Sequence, residues 1–256
     1  SVAKRLSNYD ASVGERWTRQ VAEATAELLG IDPHALPDDL EVHVISSNTH
    51  SVTNCLSPWL VESRSAILEW GRTAQPVLAQ ATFVHEDDRV IAMARGYLEA
   101  HPEAREARRI RDGRGCRRVQ NAAFTGIEVE LFDLSTFGSR DYDPSLPRPT
   151  RGGLLVNIDY AFGEQAEPIM ASLVALFGRT LRGVNVLGKA GGLVGQRGDV
   201  LVADRFIHQQ QDRVLAPAMA VNVDRLRARL PDRQVFEGPV LTVEGTLLQN
   251  DLLLHY

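Results

Sequence analysis

The stretch VNVLGKAGGLVGQRGDVLVAD (residues 184–204) decides how this chain reads. It opens on a short β-branched run, 184–187, of the kind that forms a strand. The run stops at Gly188. Lys189, Ala190, Gly191 and Gly192 follow, and a short loop reaches Gly198 and Asp199 before a second apolar run, 199–203. A strand that ends in small residues lets bare backbone approach a ligand and offers N–H donors with no side chain in the way. The complete G-x-x-x-x-G-K-[ST] phosphate loop is absent, and so is the G-x-G-x-x-G dinucleotide fingerprint.

Outward from this stretch the second half alternates. LLVNI (154–158) reads as a buried strand, 164–177 as a helix with Pro168 in its first turn, 223–230 as a short helix, and PVLTV (239–243) as a further strand. Strand–helix–strand repetition predicts a largely parallel sheet with helices packed on its faces. In the first half, 11–29 reads as an amphipathic helix with Trp17, Val21, Ala24 and Leu28 at helical spacing and Gly30 as its stop. A proline-marked loop covers 32–39. The strand LEVHVI (40–45) runs into the polar segment SSNTHSVT (46–53), and helical patterns cover 60–70 and 87–111, the latter broken at Pro102. Residues 119–134 read as one or two strands turning at Thr125 and Gly126, and 136–153 as a surface excursion. The expectation is an α/β protein with three α/β/α layers around a central mixed, largely parallel sheet. It forms one domain over 1–256, with an N-terminal helical extension of about residues 1–39.

Composition narrows the function. A chain with 44% hydrophobic and 24% charged residues can build a core, so disorder is not the default. Its net charge of -5 argues against a nucleic-acid-coating role. The basic run REARRIRDGRGCRR (105–118) reads either as a solvated helix end and turn or as a phosphate or partner contact. Cys55 and Cys116 form no C-x-x-C pair, which indicates neither a zinc site nor a redox motif, and isolated thiols fit a reducing cytoplasm. No apolar run approaches the roughly 18–20 residues of a membrane span, and SVAKRLSNYD lacks the apolar core of a signal peptide. The expected protein is cytoplasmic, with no membrane or nucleic-acid partner.

Residues 188–193 (GKAGGL) followed by 198–201 (GDVL) resemble the nucleoside phosphorylase–nucleosidase superfamily, in which a G-[ST]-x-G-[GA]-L segment precedes G-D-[VI]-V. LLVNIDYAFGEQAEPIMASLVALFG, NAAFTGIEVELFDL and EGPVLTVEGTLLQND look like neighbouring segments of that family, so the resemblance covers roughly half the chain. Three features depart from it. Lys189 stands where the phosphorylases carry a hydroxyl residue, and the arginine that phosphorolytic members place before this glycine is missing. The family's ribose-binding glutamate strand is not found before Tyr256. Lys189, a point charge with three donors, still suits an anion.

The resemblance implies a phosphorylase-like fold and cleavage of the N-glycosidic bond of a nucleoside or nucleotide, by hydrolysis or phosphorolysis, releasing a free base. The alternative is a non-catalytic nucleotide-binding protein on a decayed phosphorylase fold. It implies phosphate or ribose contacts at Gly188, Lys189, Ala190, Gly191 and Gly192, a base side at Tyr160, Phe162, Gln249 and Asn250, and Glu244 as the acid that polarises the base. Asn48, Thr49 and His50 read either as an anion- or sugar-binding loop or as a capped turn before a helix. No metal or redox cofactor is implied, and inorganic phosphate is admitted as a co-substrate. The family builds dimers or hexamers, so a homo-oligomer is expected.

Overall fold

Helix α1 (Ala11–Leu29) forms where Trp17, Val21, Ala24 and Leu28 make one apolar stripe. It ends because Gly30 adopts a left-handed backbone (φ 65°), which lets the Ile31 amide donate back to the Ala26 carbonyl at 3.0 Å. The computed structural model describes residues 11–32, 36–83, 86–119, 127–138, 153–159, 166–188, 192–196, 198–208, 213–216 and 221–242. The chain falls into two compact units, Ser1–Gly188 and Lys189–Tyr256.

The first unit is a mixed α/β structure around a five-stranded sheet. Its strands are β1 (Val42–Ser46), β2 (Cys116–Val119), β3 (Val129–Asp133), β4 (Leu154–Ile158) and β5 (Leu181–Val186), in the order β2-β3-β4-β1-β5. β1 lies between β4 and β5 and is parallel to both, while β2–β3 and β3–β4 are antiparallel. The sheet is therefore mixed as expected, but its parallel character is confined to β4-β1-β5. The helix α7 (Ala166–Phe177) carries the crossover from β4 to β5 that parallel pairing requires.

Strand alternation sends two side-chain sets to opposite faces. Val42, Val44, Leu154, Val156, Ile158, Val129 and Leu131 pack with Trp17 and Val21 of α1 and with Ile169, Leu173 and Phe177 of α7. The helix expected as an N-terminal extension thus lies in this core, with Trp17 and Val21 fully buried. Phe132, Ile45 and Leu155 instead meet Val52 and Leu56 of α2 (Thr49–Cys55). A second apolar cluster, around Trp59, Ile67, Val90 and Met93, joins α3 (Pro58–Ala74) to α5 (Glu86–Ala100), with α4 (Pro76–Gln80) between them in sequence. Helix α6 (Pro102–Asp112) starts at Pro102, where the sequence predicts the break, because proline at the first helical position forfeits no bond.

In the second unit β6 (Val200–His208) pairs antiparallel with β7 (Arg213–Leu215) and parallel with β8 (Val235–Thr242), and α8 (Val223–Arg229) lies between β7 and β8 in sequence. This corrects the expectation that the strands read at 199–203 and 239–243 extend the sheet of the first half. They pair with each other, in a separate three-stranded sheet ordered β7-β6-β8. Pro239 is tolerated because β8 is an edge strand and the register shifts beside it, between Ala203 and Arg205. The turn expected at Thr125 and Gly126, and residues 139–152 of the expected excursion, lie outside the described residues.

Candidate functional site

The three parallel strands of the first unit end level with one another. Ser46 is in register with Ile158 on one side and Val186 on the other. The ladder runs one step further: the Ser47 amide donates to the Ile158 carbonyl at 3.0 Å, and the Leu187 amide to the Ser46 carbonyl at 2.8 Å. Two segments singled out from the sequence, the polar run after β1 and the approach to Gly188, therefore meet at one carboxyl rim. In open α/β sheets this is the edge where ligands bind.

At the rim the polar side chains serve the protein's own backbone first. Asn48 caps α2, its Oδ1 accepting from the Ser51 amide and hydroxyl, each at 2.8 Å. Thr49 is buried in the first turn. For the carbonyl end of Asn48 the capped-turn alternative is the one realised. The His50 side chain lies outside the described residues. Gly188 follows β5 with open space on its Cβ side.

Beneath the rim is a buried polar network. Ser47 Oγ lies 3.0 Å from Asn157 Oδ1, both residues being buried. Nδ2 of Asn157 has no partner among the described residues, and exchanging the amide's ends would leave the other one unpaired. Across the β3–β4 ladder Asn157 faces Glu130, which is 1% exposed. Glu130 receives Thr53 Oγ1 from α2 at 2.6 Å and the Arg118 guanidinium of β2, through Nε at 2.9 Å and through Nη2. Thr53 also faces the Thr49 carbonyl at 2.9 Å but has one proton to give, and the carboxylate paired with Arg118 is the stronger acceptor. Strand β2, strand β3 and helix α2 are thereby tied together just behind the rim. The signal for this network was present in the sequence, as Glu130 inside VELFD and Asn157 inside LLVNI are polar residues at apolar strand positions.

In the second unit the remaining motif is structural. Gly192 is required because a Cβ there would meet the Val194 carbonyl oxygen at 2.8 Å. Gly198 (φ 101°) turns the chain into Asp199, whose carboxylate accepts from the Gln196 amide at 2.7 Å and the Gln234 amide at 3.0 Å. These two bonds, Gln196 first, hold the Asp199 carboxyl below the usual aspartate range. Lys189, Ala190, Gly191, Tyr160, Phe162, Glu244, Gln249 and Asn250 lie outside the described residues. Among the described residues no three His, Cys, Asp or Glu side chains are placed to share a metal ion. Among them, too, no helix is long and apolar enough to cross a membrane.

The chain matches the model of a family of unknown function, DUF6909, over residues 2–256, and it belongs to that family. No curated protein and no solved structure matches it.

Proposed function

We propose that this chain holds a nucleoside or nucleotide at the carboxyl rim of β4, β1 and β5 and cleaves its N-glycosidic bond. One observation carries the reading: the Leu187 amide bonds to the Ser46 carbonyl, so the segment entering the glycine cluster and the Ser47–Asn48–Thr49 turn share one strand end. The resemblance assigns anion and ribose contacts to the glycine cluster, and the polar run at Asn48, Thr49 and His50 is the one that reads either as an anion- or sugar-binding loop or as a capped turn. Helices on opposite sides of the sheet, α1 and α7 against one face and α2 against the other, support the three-layer, phosphorylase-like arrangement.

In the reaction the C1′–N bond breaks with its electron pair going to the base. The base takes up a proton, and the C1′–O bond forms from water, which releases its proton, or from inorganic phosphate. Departure of the base is helped by an acid, which the resemblance places at Glu244, and the anion by Lys189 and the glycine amides. The same reading carries a homo-oligomer, dimer or hexamer, in the cytoplasm. A second reading, binding without turnover, is favoured by the engagement of Ser47, Asn48 and Thr53 with the protein's own groups, Asn157, Ser51 and Glu130.

The test is a panel of purine and pyrimidine nucleosides and their 5′-monophosphates, with and without inorganic phosphate, followed by chromatography of the free base. Base released without phosphate marks a hydrolase, and base released only with phosphate a phosphorylase. Binding without release supports the second reading, and neither binding nor release removes both. The variant E244Q is expected to lower release while leaving ligand binding in place.

A further inference from the structure

A cleft of about 410 Å³ opens along the edge of the five-stranded sheet, where the end of α6 passes through the 3-10 turn Gly113–Gly115 into β2. Arg109, Arg114, Arg117 and Arg118 line it, with Ile110 and Cys116, and among the described residues no carboxylate does. A helix C-terminus attracts cations by itself, and Arg109 and Arg111 occupy the last turn of α6 for that reason. That accounts neither for Arg114 in the turn nor for Arg117 and Arg118 in the strand.

The existing counter-charges are unequal. Glu130 is buried and binds Arg118 firmly. Glu106 holds Arg109 only as an exposed pair three residues apart on the helix, which is a weak contact in water. Glu27 stands 3.8 Å from Arg117, with both side chains more than half exposed. Arg114 is exposed and has no acidic partner among the described residues. Residues 105–118 contain seven arginines against two acids, Glu106 and Asp112, in a chain whose net charge is -5. Burial pushes the Cys116 thiol up to about 12, so the cleft offers no thiolate nucleophile.

We propose that this cleft is a binding site for a compact anion carrying two or three linked phosphoryl groups. Guanidinium forks match phosphate oxygens in pairs, and Arg114, with Arg109 and Arg117 exchanging their exposed pairs with Glu106 and Glu27, can turn onto such a ligand while Arg118 stays on Glu130. The small cleft and the acidic remainder of the chain favour a compact anion over an extended nucleic-acid strand. The turn that opens the cleft stands away from the rim, and only Arg118 reaches the level of Glu130 and Asn157. Cys116 pairs with Phe132, Phe132 with Leu155 and Leu155 with His43, which places the cleft's turn towards the amino ends of β4 and β1.

Inorganic tripolyphosphate is the probe, with calorimetry and hydrogen exchange on the full chain at low ionic strength. Binding is expected, with new protection over residues 109–119. R114E/R117E is expected to weaken it by about tenfold or more per arginine, while R179E, at an exposed arginine elsewhere in the unit, leaves it unchanged. R114A alone gives the same direction should the double reversal fail to fold. The proposal is overturned by any of four results: no binding, protection confined to residues 46–55, equal weakening by R179E, or an oligonucleotide that protects 109–119 more strongly at equal phosphate concentration.

Discussion

Replacing Arg118 by methionine removes the only cation bonded to Glu130 among the described residues and keeps most of the side-chain volume. Glu130 is 1% exposed and would retain only the Thr53 hydroxyl. Breaking a fully buried ion pair from one side costs about 3–5 kcal/mol. Arg118 is itself 41% exposed, so water screens part of that loss and about 2 kcal/mol is expected instead. For a unit of this size the thermal midpoint should fall by roughly 4–8 °C. Urea unfolding followed by circular dichroism should show a lower midpoint with an unchanged slope, since the exposed surface does not change. R118M/E130Q should recover most of the loss, because the stranded charge is gone while the Thr53 contact remains. The reasoning is refuted if R118M unfolds within about 0.5 kcal/mol of the parent, or if the double variant is no more stable than the single one.

Asn48→Ala should cost about 1 kcal/mol through loss of the α2 cap, and Asn48→Asp should cost much less, as read by the same urea unfolding. Because the Asp199 carboxyl is depressed by the Gln196 and Gln234 amides, it stabilises the second unit above the ordinary aspartate value, and that contribution disappears as pH falls through the depressed value. D199N should therefore lower the thermal midpoint near neutral pH and converge on the parent in strong acid. Cys116 should resist alkylation at pH 8 in the folded chain and react at once in denaturant, as followed by mass spectrometry.

Local patterns were readable where one element's own side chains decide the outcome. The α1 stripe, its stop at Gly30, LLVNI as a strand and the start of α6 at Pro102 all follow from periodicity and backbone preference. Strand partnership was not readable, since nothing local to 199–203 or 239–243 states that these segments pair with each other. The polar segment after β1 illustrates a second limit. Asn48 suits a ligand and a helix cap equally well until the Ser51 amide is seen 2.8 Å away. For Asp199 the same ambiguity resolves towards structure, because the turn at Gly198 presents its carboxylate to two amides of its own unit. Arg118, Glu130 and Thr53 belong to three different elements, and only the register of β2 on β3 brings the first two side by side.

The account stands on the carboxyl rim as a ligand edge, and hydrogen exchange of the full chain with each member of the nucleoside and nucleotide panel tests it most directly. At least one member should protect amides in both 47–51 and 187–188. If every member leaves both segments unchanged, or if protection appears only elsewhere in the chain, the rim is not the site.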